Sequence, residues 1–445
     1  MKQTSNARPI ERYVALDIHK EYVMVGGKNS AQEWVLRRRR VEMERFRTWA
    51  EGNLREGDAV VFEATTNVWD IYDVVSPLVS RTVVAHAAAV RQIAEARVKT
   101  DKQDVERLLR LLIADIVPEV WVPPVHVREL RGLISYRWRL VKMSTMVQNR
   151  LHSVLHRHNI RPPEGGLDTE KNRAWWEQQE FSPIEALQVS QELAMLYQIE
   201  KHKGEVEQEL GRLSNTEPWN SQSAYLMQLP GVGIVITMTV LAAIGDISRF
   251  ESPKELVGYA GLGAGVHDSG KEHRDKKITK CGRKELRWAK VEAAWRAVQH
   301  HPYWKKQFEI LKRRKHPNQA IVVIASKLLV TIWYVLSGRE PYRHASEEDL
   351  AYKMLVWSWS MGEEARQGMT RQQFAKCGLL RLGIGQNLTR IVRGGYPRRL
   401  APAEEVLAIR PELRPPEQRR TLSPLEKNEP HHEKCWRGQW GITRQ

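Results

Sequence analysis

The chain of 445 residues carries 70 Lys and Arg against 53 Asp and Glu, which gives a formal net charge of +17. Its length predicts two or three domains, and a hydrophobic content of 42% excludes a wholly disordered chain. A small neutral substrate does not require this charge excess, which favours nucleic acid as the partner. The alternative is that the excess only keeps the protein in solution.

The cysteines and the hydropathy indicate where the protein works. Cys281, Cys377 and Cys435 are too few and too far apart for a disulfide scaffold, and they fit a reducing cytoplasm. The longest apolar run, between residues 321 and 335, is interrupted by polar residues and falls short of the ~18 residues of a membrane span. The sequence therefore predicts a cytoplasmic protein with no membrane partner.

Residues 1–115 have the pattern of an α/β domain. Three β-rich runs between residues 13 and 37 precede a short apolar strand at 59–62 and another strand at 81–85, with helical spacing between them. A further helix is predicted to begin after Thr100, which starts a Thr-x-x-Gln capping pattern. Strands followed by alternating strands and helices predict a mixed sheet with helices packed on it.

The middle of the chain is predicted to be helical. Residues 128–215 are charged and nearly free of Gly and Pro except at 162–166, which favours two long antiparallel helices. Such a coiled-coil arm suits either a spacer or an oligomerisation element. Residues 224–337 are predicted to form a mainly α domain in which 261–275 is irregular.

Residues 340–445 form an extension to which the sequence assigns no role. Seven prolines fall between Pro397 and Pro430. The last ~45 residues are therefore predicted to be extended or disordered.

Four carboxylates lie at the ends of strands or at the start of a helix in the predicted α/β domain. Asp17 lies near the end of the first strand, Glu63 ends the 59–62 strand, and Asp101 and Asp104 share one face of a helix start. Carboxylates gathered in this way repel one another, and a divalent cation resolves the conflict. Taken singly, each has a simpler interpretation: Asp17 as a turn cap, Asp101 as a helix-start carboxylate and Asp104 as a solvated group.

The stretches YVALDIHKEYVMVG, VVFEAT and KTDKQDVERLLRLL resemble the DEDD-type transposases of bacterial insertion sequences. The N-terminal domain of that family is similar to the RuvC Holliday-junction resolvase, an RNase-H-like fold. The resemblance implies that Asp17, Glu63, Asp101 and Asp104 form a tetrad that binds Mg²⁺.

A second stretch, from AYLMQLPGVG to DSGKEHRDKKITKCGRKEL, resembles the other domain of the same family. Gly231 and Gly233 permit a tight turn into a helix whose backbone N–H groups suit a phosphate. This looks like a helix-hairpin-helix DNA-binding element, although an ordinary helix start is the better interpretation of the PGVG string taken alone.

Ser269 precedes a glycine and then a basic run. Residues 271–290 hold nine Lys and Arg and three Asp and Glu, a density that suits phosphate contact. The resemblance implies that Ser269 is the nucleophile that joins covalently to DNA. Arg274 and Lys280 are weaker candidates for phosphate contacts, since a basic run can also be a solvated face. Arg283 departs from the family, which usually has Asn there.

The resemblance implies a transposase or recombinase that cuts and rejoins DNA with Mg²⁺ and no other cofactor. It also implies donor and target DNA as partners, a structured bridge RNA that chooses them, and a homodimer that pairs into a tetramer. Two alternatives remain at this point: a metal-dependent, structure-specific nuclease of the Holliday-junction-resolvase type, and a non-catalytic nucleic-acid binder.

Overall fold

The computed structural model divides the chain into two compact units, Met1–Pro124 and Val125–Gln445. The last ~45 residues are predicted from the sequence to be extended or disordered. Ala403–Ile409 forms a helix instead, and residues 415–445 lie outside the part of the chain that is described. The structure describes residues 9–93, 100–167, 169–269 and 272–414.

The first unit is a five-stranded mixed sheet with helices, as the sequence predicts. The strand order is β3-β2-β1-β4-β5, in which β1 to β3 are antiparallel neighbours and β1, β4 and β5 run parallel. The elements are β1 (Arg12–Ile18), β2 (Tyr22–Asn29), β3 (Trp34–Glu42), α1 (Met43–Asn53), β4 (Asp58–Glu63), α2 (Val68–Val75), β5 (Arg81–Ala85), α3 (Ala87–Ile93) and α4 (Asp101–Ile113).

The central strands of this sheet are covered on both faces. In β1, Val14 and Leu16 enter one apolar cluster and Ala15 enters the other, because successive side chains of a strand point to opposite faces. Helix α4 buries Leu108 and Leu109 against the second face. The Thr100 hydroxyl accepts a hydrogen bond from the Gln103 N–H and caps this helix. The first turn of α4 is thereby fixed against the sheet.

The second unit is mainly helical. Its small β-elements are β6 (Ala264–Ser269), β7 (Glu272–Ile278), β8 (Arg390–Arg393) and β9 (Tyr396–Arg399). Its helices are α5 (Val125–Arg157), α6 (Glu170–Glu177), α7 (Pro183–Ser214), α8 (Trp219–Met227), α9 (Ile234–Ile244), α10 (Pro253–Tyr259), α11 (Lys284–His300), α12 (Pro302–Lys312), α13 (Pro317–Gly338), α14 (Glu347–Trp359), α15 (Arg371–Arg381) and α16 (Ala403–Ile409).

The two long helices of the arm pack against each other in opposite directions. Arg137 of α5 pairs with Glu207 of α7 at 2.6 Å, and Arg150, further along α5, pairs with Glu192, earlier in α7. This order of ion pairs requires antiparallel packing. The prediction of two long antiparallel helices is therefore confirmed.

The prediction that residues 261–275 are irregular was wrong. The antiparallel hairpin of β6 and β7 occupies this stretch, with Ser269 paired with Glu272 across the strand ends. The strands carry charged residues without the apolar alternation that marks a half-buried strand, so the periodicity signal was absent.

The extension beyond residue 340 is folded as far as Arg414. Helices α14 and α15 share one apolar core with Ala224 and Met227 of α8. The Lys353 amine of α14 donates to the backbone carbonyls of Met227, Leu229 and Val232. This part of the chain is therefore integral to the second unit, although its sequence assigned it no role.

Among the described helices, α13 is long and apolar enough by composition to cross a membrane. Within its most apolar window, 61% is buried inside the unit. A core helix of a folded domain meets the same criteria, and α13 lies against α10 and α11 in this core.

Lys290 of α11 generates a stability prediction. Its side chain is fully buried, and its Nζ has no hydrogen-bond partner among the described residues. Burial lowers the pKa of Lys290 from 10.5 to about 7. Between these two pH values the unfolded chain binds the extra proton, so the free energy of unfolding rises with pH across this window.

We therefore expect Lys290→Met to raise the melting temperature, and to raise it more at pH 6 than at pH 9. Thermal unfolding followed by circular dichroism at both pH values measures this. Lys305→Met, at an exposed position of α12, is the control and should change little. An equal gain at the two pH values would contradict the assigned cause.

Candidate active site

The four predicted carboxylates meet at one edge of the first unit. Asp17 lies near the end of β1, and Glu63 is the last residue of the parallel strand β4, so both side chains stand at the same sheet edge. The first turn of α4 brings Asp101 and Asp104 to this edge. Asp17 interacts electrostatically with both of these aspartates, and Glu63 interacts with Asp104 and Asp17. We name these four residues the acidic cluster.

His19 lies between two members of the acidic cluster. Its Nε2 atom is 3.0 Å from an Asp17 carboxylate oxygen and 3.7 Å from an Asp101 carboxylate oxygen. The ring stacks on Tyr22 with centroids 4.5 Å apart, and the Tyr22 hydroxyl donates to Asp101 at 2.8 Å. Neither residue is predicted from the sequence, although His19 stands only two positions after Asp17.

Arg107 joins the other two carboxylates. Its guanidinium lies 3.0 Å from Glu63 and 3.1 Å from Asp104. Arg107 follows Asp104 by three residues on α4, a spacing that places both side chains on one helix face. From this spacing, the contact of Arg107 with Asp104 could have been predicted. Its Nε atom is buried without a hydrogen-bond partner among the described residues.

Burial and mutual repulsion perturb the pKa values of the cluster. Burial raises the pKa of Asp17 above its ordinary value; His19 offsets part of this, and the charges of Asp104 and Asp101 add to it. Burial also raises the pKa of Glu63, with Arg107 opposing and Asp104 and Asp17 reinforcing the rise. Ionisation of these carboxylates therefore costs free energy in the folded protein, and a bound cation reduces this cost.

The donor set fits a divalent cation. Ligand atoms of Asp17, His19 and Asp101 lie within 4.8 Å of one another. Carboxylate oxygens are the donors that Mg²⁺ prefers, while a histidine nitrogen also suits Mn²⁺ or Zn²⁺. The geometry thus supports a divalent metal without selecting the ion.

The second unit contains the other predicted site residues. Gly231 has a φ of +74°, and a Cβ there would collide with the backbone carbonyl of Ala293 in α11. Gly231 is therefore required for close packing of the turn. Gly233 precedes α9 as its N-cap, is exposed and has open space around its Cα. Helices α8 and α9 flank this turn.

Ser269 is the final residue of β6, and Arg274 of β7 pairs with His267 in the same hairpin. The structure describes the backbone of these residues and not their side chains. Lys280 is exposed, with a φ of +54°, between β7 and α11.

Arg283, the departure from the family pattern, takes part in a cationic group around Tyr259. Its Nε donates to the Tyr259 hydroxyl at 3.2 Å. Burial alone would raise the pKa of Tyr259, but the charges of Arg283, Arg249 and Arg131 outweigh it and hold the pKa below its ordinary value. Arg131 donates to the carbonyls of Ala242 and Ala243 at the end of α9, where the helix dipole favours a cation. Arg283 therefore has a structural partner that an asparagine would not reach in the same way.

Comparison with known families agrees with this architecture. A profile described as a transposase, of the DEDD type of IS110, matches residues 14–160, and a profile described as the transposase IS116/IS110/IS902 family matches residues 223–309. The two profiles thus define an enzyme class that cuts and rejoins DNA. The chain is a member of the IS110-type transposase family.

Similar proteins carry related names. The protein y4qE of Sinorhizobium fredii, named as a transposase, is 24% identical over 308 residues, which cover 69% of this chain and 75% of that protein. The transposase for insertion sequence element IS1111A of Coxiella burnetii is 26% identical over 55% of this chain and 68% of its own length. The pilin gene-inverting protein of Moraxella bovis is 32% identical over 31% of this chain and 44% of its own length.

The acidic cluster generates a prediction on metal and stability. Because the pKa of Asp17 is raised in the folded protein, its ionised form destabilises the fold as pH rises through that range. In the absence of metal, Asp17→Asn should therefore raise the melting temperature at pH 8 and raise it less at pH 4. Added Mg²⁺ or Mn²⁺ should stabilise the wild type and not Asp17→Asn. Asp73→Asn, on α2, is the matched control. If added metal still raises the melting temperature of Asp17→Asn, Asp17 is not a metal ligand.

Proposed function

We propose that the protein is the transposase of a bacterial insertion sequence and that it cuts and rejoins DNA strands through Ser269 with the acidic cluster. The convergence of four carboxylates from β1, β4 and α4 is the observation that carries this proposal. The cluster has the composition of an RNase-H-like, RuvC-like nuclease centre. The family match over both units supports strand rejoining in addition to cutting.

In this proposal Asp17, Glu63, Asp101 and Asp104 hold Mg²⁺. The ion, when bound, supplies Lewis acidity and neutralises negative charge on the reacting phosphate. His19 and Arg107 hold the carboxylates in place, since each contacts two of them. Tyr22 fixes the orientation of Asp101 through its hydrogen bond.

Ser269 supplies the nucleophile. Its hydroxyl oxygen forms a bond to the scissile phosphorus and loses its proton, and the bond from phosphorus to the leaving DNA oxygen breaks with protonation of that oxygen. The strand is then held as a phosphoserine diester, which conserves the phosphodiester bond energy. A hydroxyl of the incoming strand reverses these steps and frees Ser269. In this scheme the acidic cluster would hold the metal ion and Ser269 would form the covalent bond.

The partners in this proposal are donor and target DNA and a structured bridge RNA. The net charge of +17 and the basic run of residues 271–290 support binding to polyanions. The candidates for phosphate contact are Arg274 and Lys280 of this run and the exposed Gly233 before α9.

Hydrolytic cleavage is the second candidate function. The acidic cluster is complete within Met1–Pro124, whereas Ser269 belongs to the other compact unit. A resolvase-type nuclease needs only the first of these. The fate of the cut strand separates the two functions.

The covalent intermediate is tested with end-labelled duplex DNA and denaturing electrophoresis. Wild type with Mg²⁺ should give a protease-sensitive protein–DNA adduct, which Ser269→Ala and Asp104→Asn should each abolish. Ser221→Ala, at an exposed position of α8, is the control and should keep the adduct. An adduct in Ser269→Ala would assign another nucleophile, and cut DNA without an adduct in the wild type would establish hydrolysis.

The arm is proposed as the oligomerisation element of a dimer that pairs into a tetramer. Large apolar side chains of α7 are exposed, Ile184 at 74% and Leu187 at 57%, with Met195 further along the helix. These positions recur at helical spacing on one side of α7. A second copy of the chain is the occupant that such a stripe on a long arm suits.

Leu187→Glu should shift the protein toward monomer, because a charge would be buried in the arm interface. Sedimentation velocity at micromolar concentration measures the shift. Gln208→Glu, at an exposed position of α7 about 30 Å along the helix from Leu187 and outside the stripe, adds the same charge and should leave the assembly unchanged. Equal behaviour of the two variants would contradict an interface at this stripe.

A further inference from the structure

The hairpin of β8 and β9 is a two-stranded ribbon in the region beyond residue 340. Arg390 pairs with Arg399 and Arg393 with Tyr396 in antiparallel register. Gly394 and Gly395 connect the strands with φ angles of +60° and +79°, as a type I′ turn requires. The ribbon is therefore a regular hairpin with a tight tip.

One face of the ribbon is anchored to α14. Ile391 is buried, and the Arg398 guanidinium lies 5.3 Å from the ring centroid of Tyr352 and 5.1 Å from that of Trp359. Arg393 pairs with Asp349 of α14. These contacts hold the ribbon in a fixed orientation on the second unit.

The other face carries positive charge that no carboxylate among the described residues compensates. Arg390 and Arg399 stand directly opposite each other with exposed side chains, and like charges in this position destabilise a strand pair. Within the described ranges neither forms an ion pair with a carboxylate. Residues 371–399 contain seven Lys and Arg and no Asp or Glu. These exposed arginines therefore suit an anionic partner.

Exposed uncharged side chains accompany the arginines. Val392 and Pro397 lie on the same outer face, and Tyr396, 73% exposed, stands beside the tip. A charged face that also offers apolar contacts suits a nucleic-acid groove, where sugars and base edges lie beside the phosphates.

We propose that the outer face of the β8–β9 ribbon is a second DNA-binding surface that contacts the phosphates of duplex DNA through Arg390 and Arg399. The major groove of B-form DNA admits a two-stranded ribbon. The deep, narrow major groove of A-form RNA does not admit side chains in this way, which favours DNA as the occupant. This surface extends the DNA contacts of the proposed transposase and depends on neither Ser269 nor the acidic cluster.

The test is equilibrium binding of the full chain to a labelled 30-base-pair duplex, followed by fluorescence anisotropy over a series of KCl concentrations. The Arg390→Gln/Arg399→Gln double variant should bind about tenfold or more weakly than wild type in 0.1 M salt. Loss of two phosphate contacts should also lower the slope of log affinity against log salt by about two. Lys305→Gln/Lys306→Gln on α12 removes the same charge from exposed positions of the same unit and is the matched control.

An equal loss in both double variants would overturn the proposal, because only the overall charge would then matter. A loss restricted to a structured RNA probe, with duplex DNA binding intact, would also overturn it and assign the surface to RNA. Unchanged melting temperatures of both double variants show that folding is not the cause. The adduct assay on the same variants tests the catalytic proposal separately from the DNA-binding proposal. If Ser269 is not the nucleophile, the difference in DNA binding between the two double variants would still be observed.

Discussion

The crowding of carboxylates at one edge of a sheet is the constraint around which the first unit is organised. Parallel pairing of β1 and β4 brings Asp17 and Glu63 to the same edge, and the capped start of α4 adds Asp101 and Asp104. Each negative charge makes the next harder to accommodate. The fold meets this repulsion with two basic side chains that each contact a pair of carboxylates, and with strands buried on both faces that cannot move apart.

The second unit applies a different constraint to the turn between α8 and α9. On one side the α11 backbone approaches Gly231 so closely that no side chain fits. On another side Lys353, its pKa lowered to about 8 by burial, donates to carbonyls on and beside the turn. A turn held in this way keeps its backbone geometry without a ligand. Such preorganisation is compatible with phosphate contact at Gly233, the one exposed glycine of the motif.

The sequence predicts those features that have a local or periodic signal. The mixed sheet, the Thr100 cap and the two long helices follow from strand patterning, capping chemistry and helical spacing. The β6–β7 hairpin lacked apolar alternation and was missed. Contacts such as that of Arg107 with Glu63 join residues 44 positions apart, so they depend on how α4 packs on the sheet rather than on any motif. The carboxylates themselves were found because each stands at the end or start of a predicted element.

Removal of the chain after α13 would disrupt the second unit, because α14 shares an apolar core with α8 and carries Lys353. A chain ending at Gly338 would leave the apolar face of Ala224 and Met227 open to water and would remove the amine from three buried carbonyls. Newly exposed apolar surface of this kind promotes aggregation. The two stretches recognised by the family profiles therefore omit part of an apolar core that continues to Val406, with Leu413 packed against it.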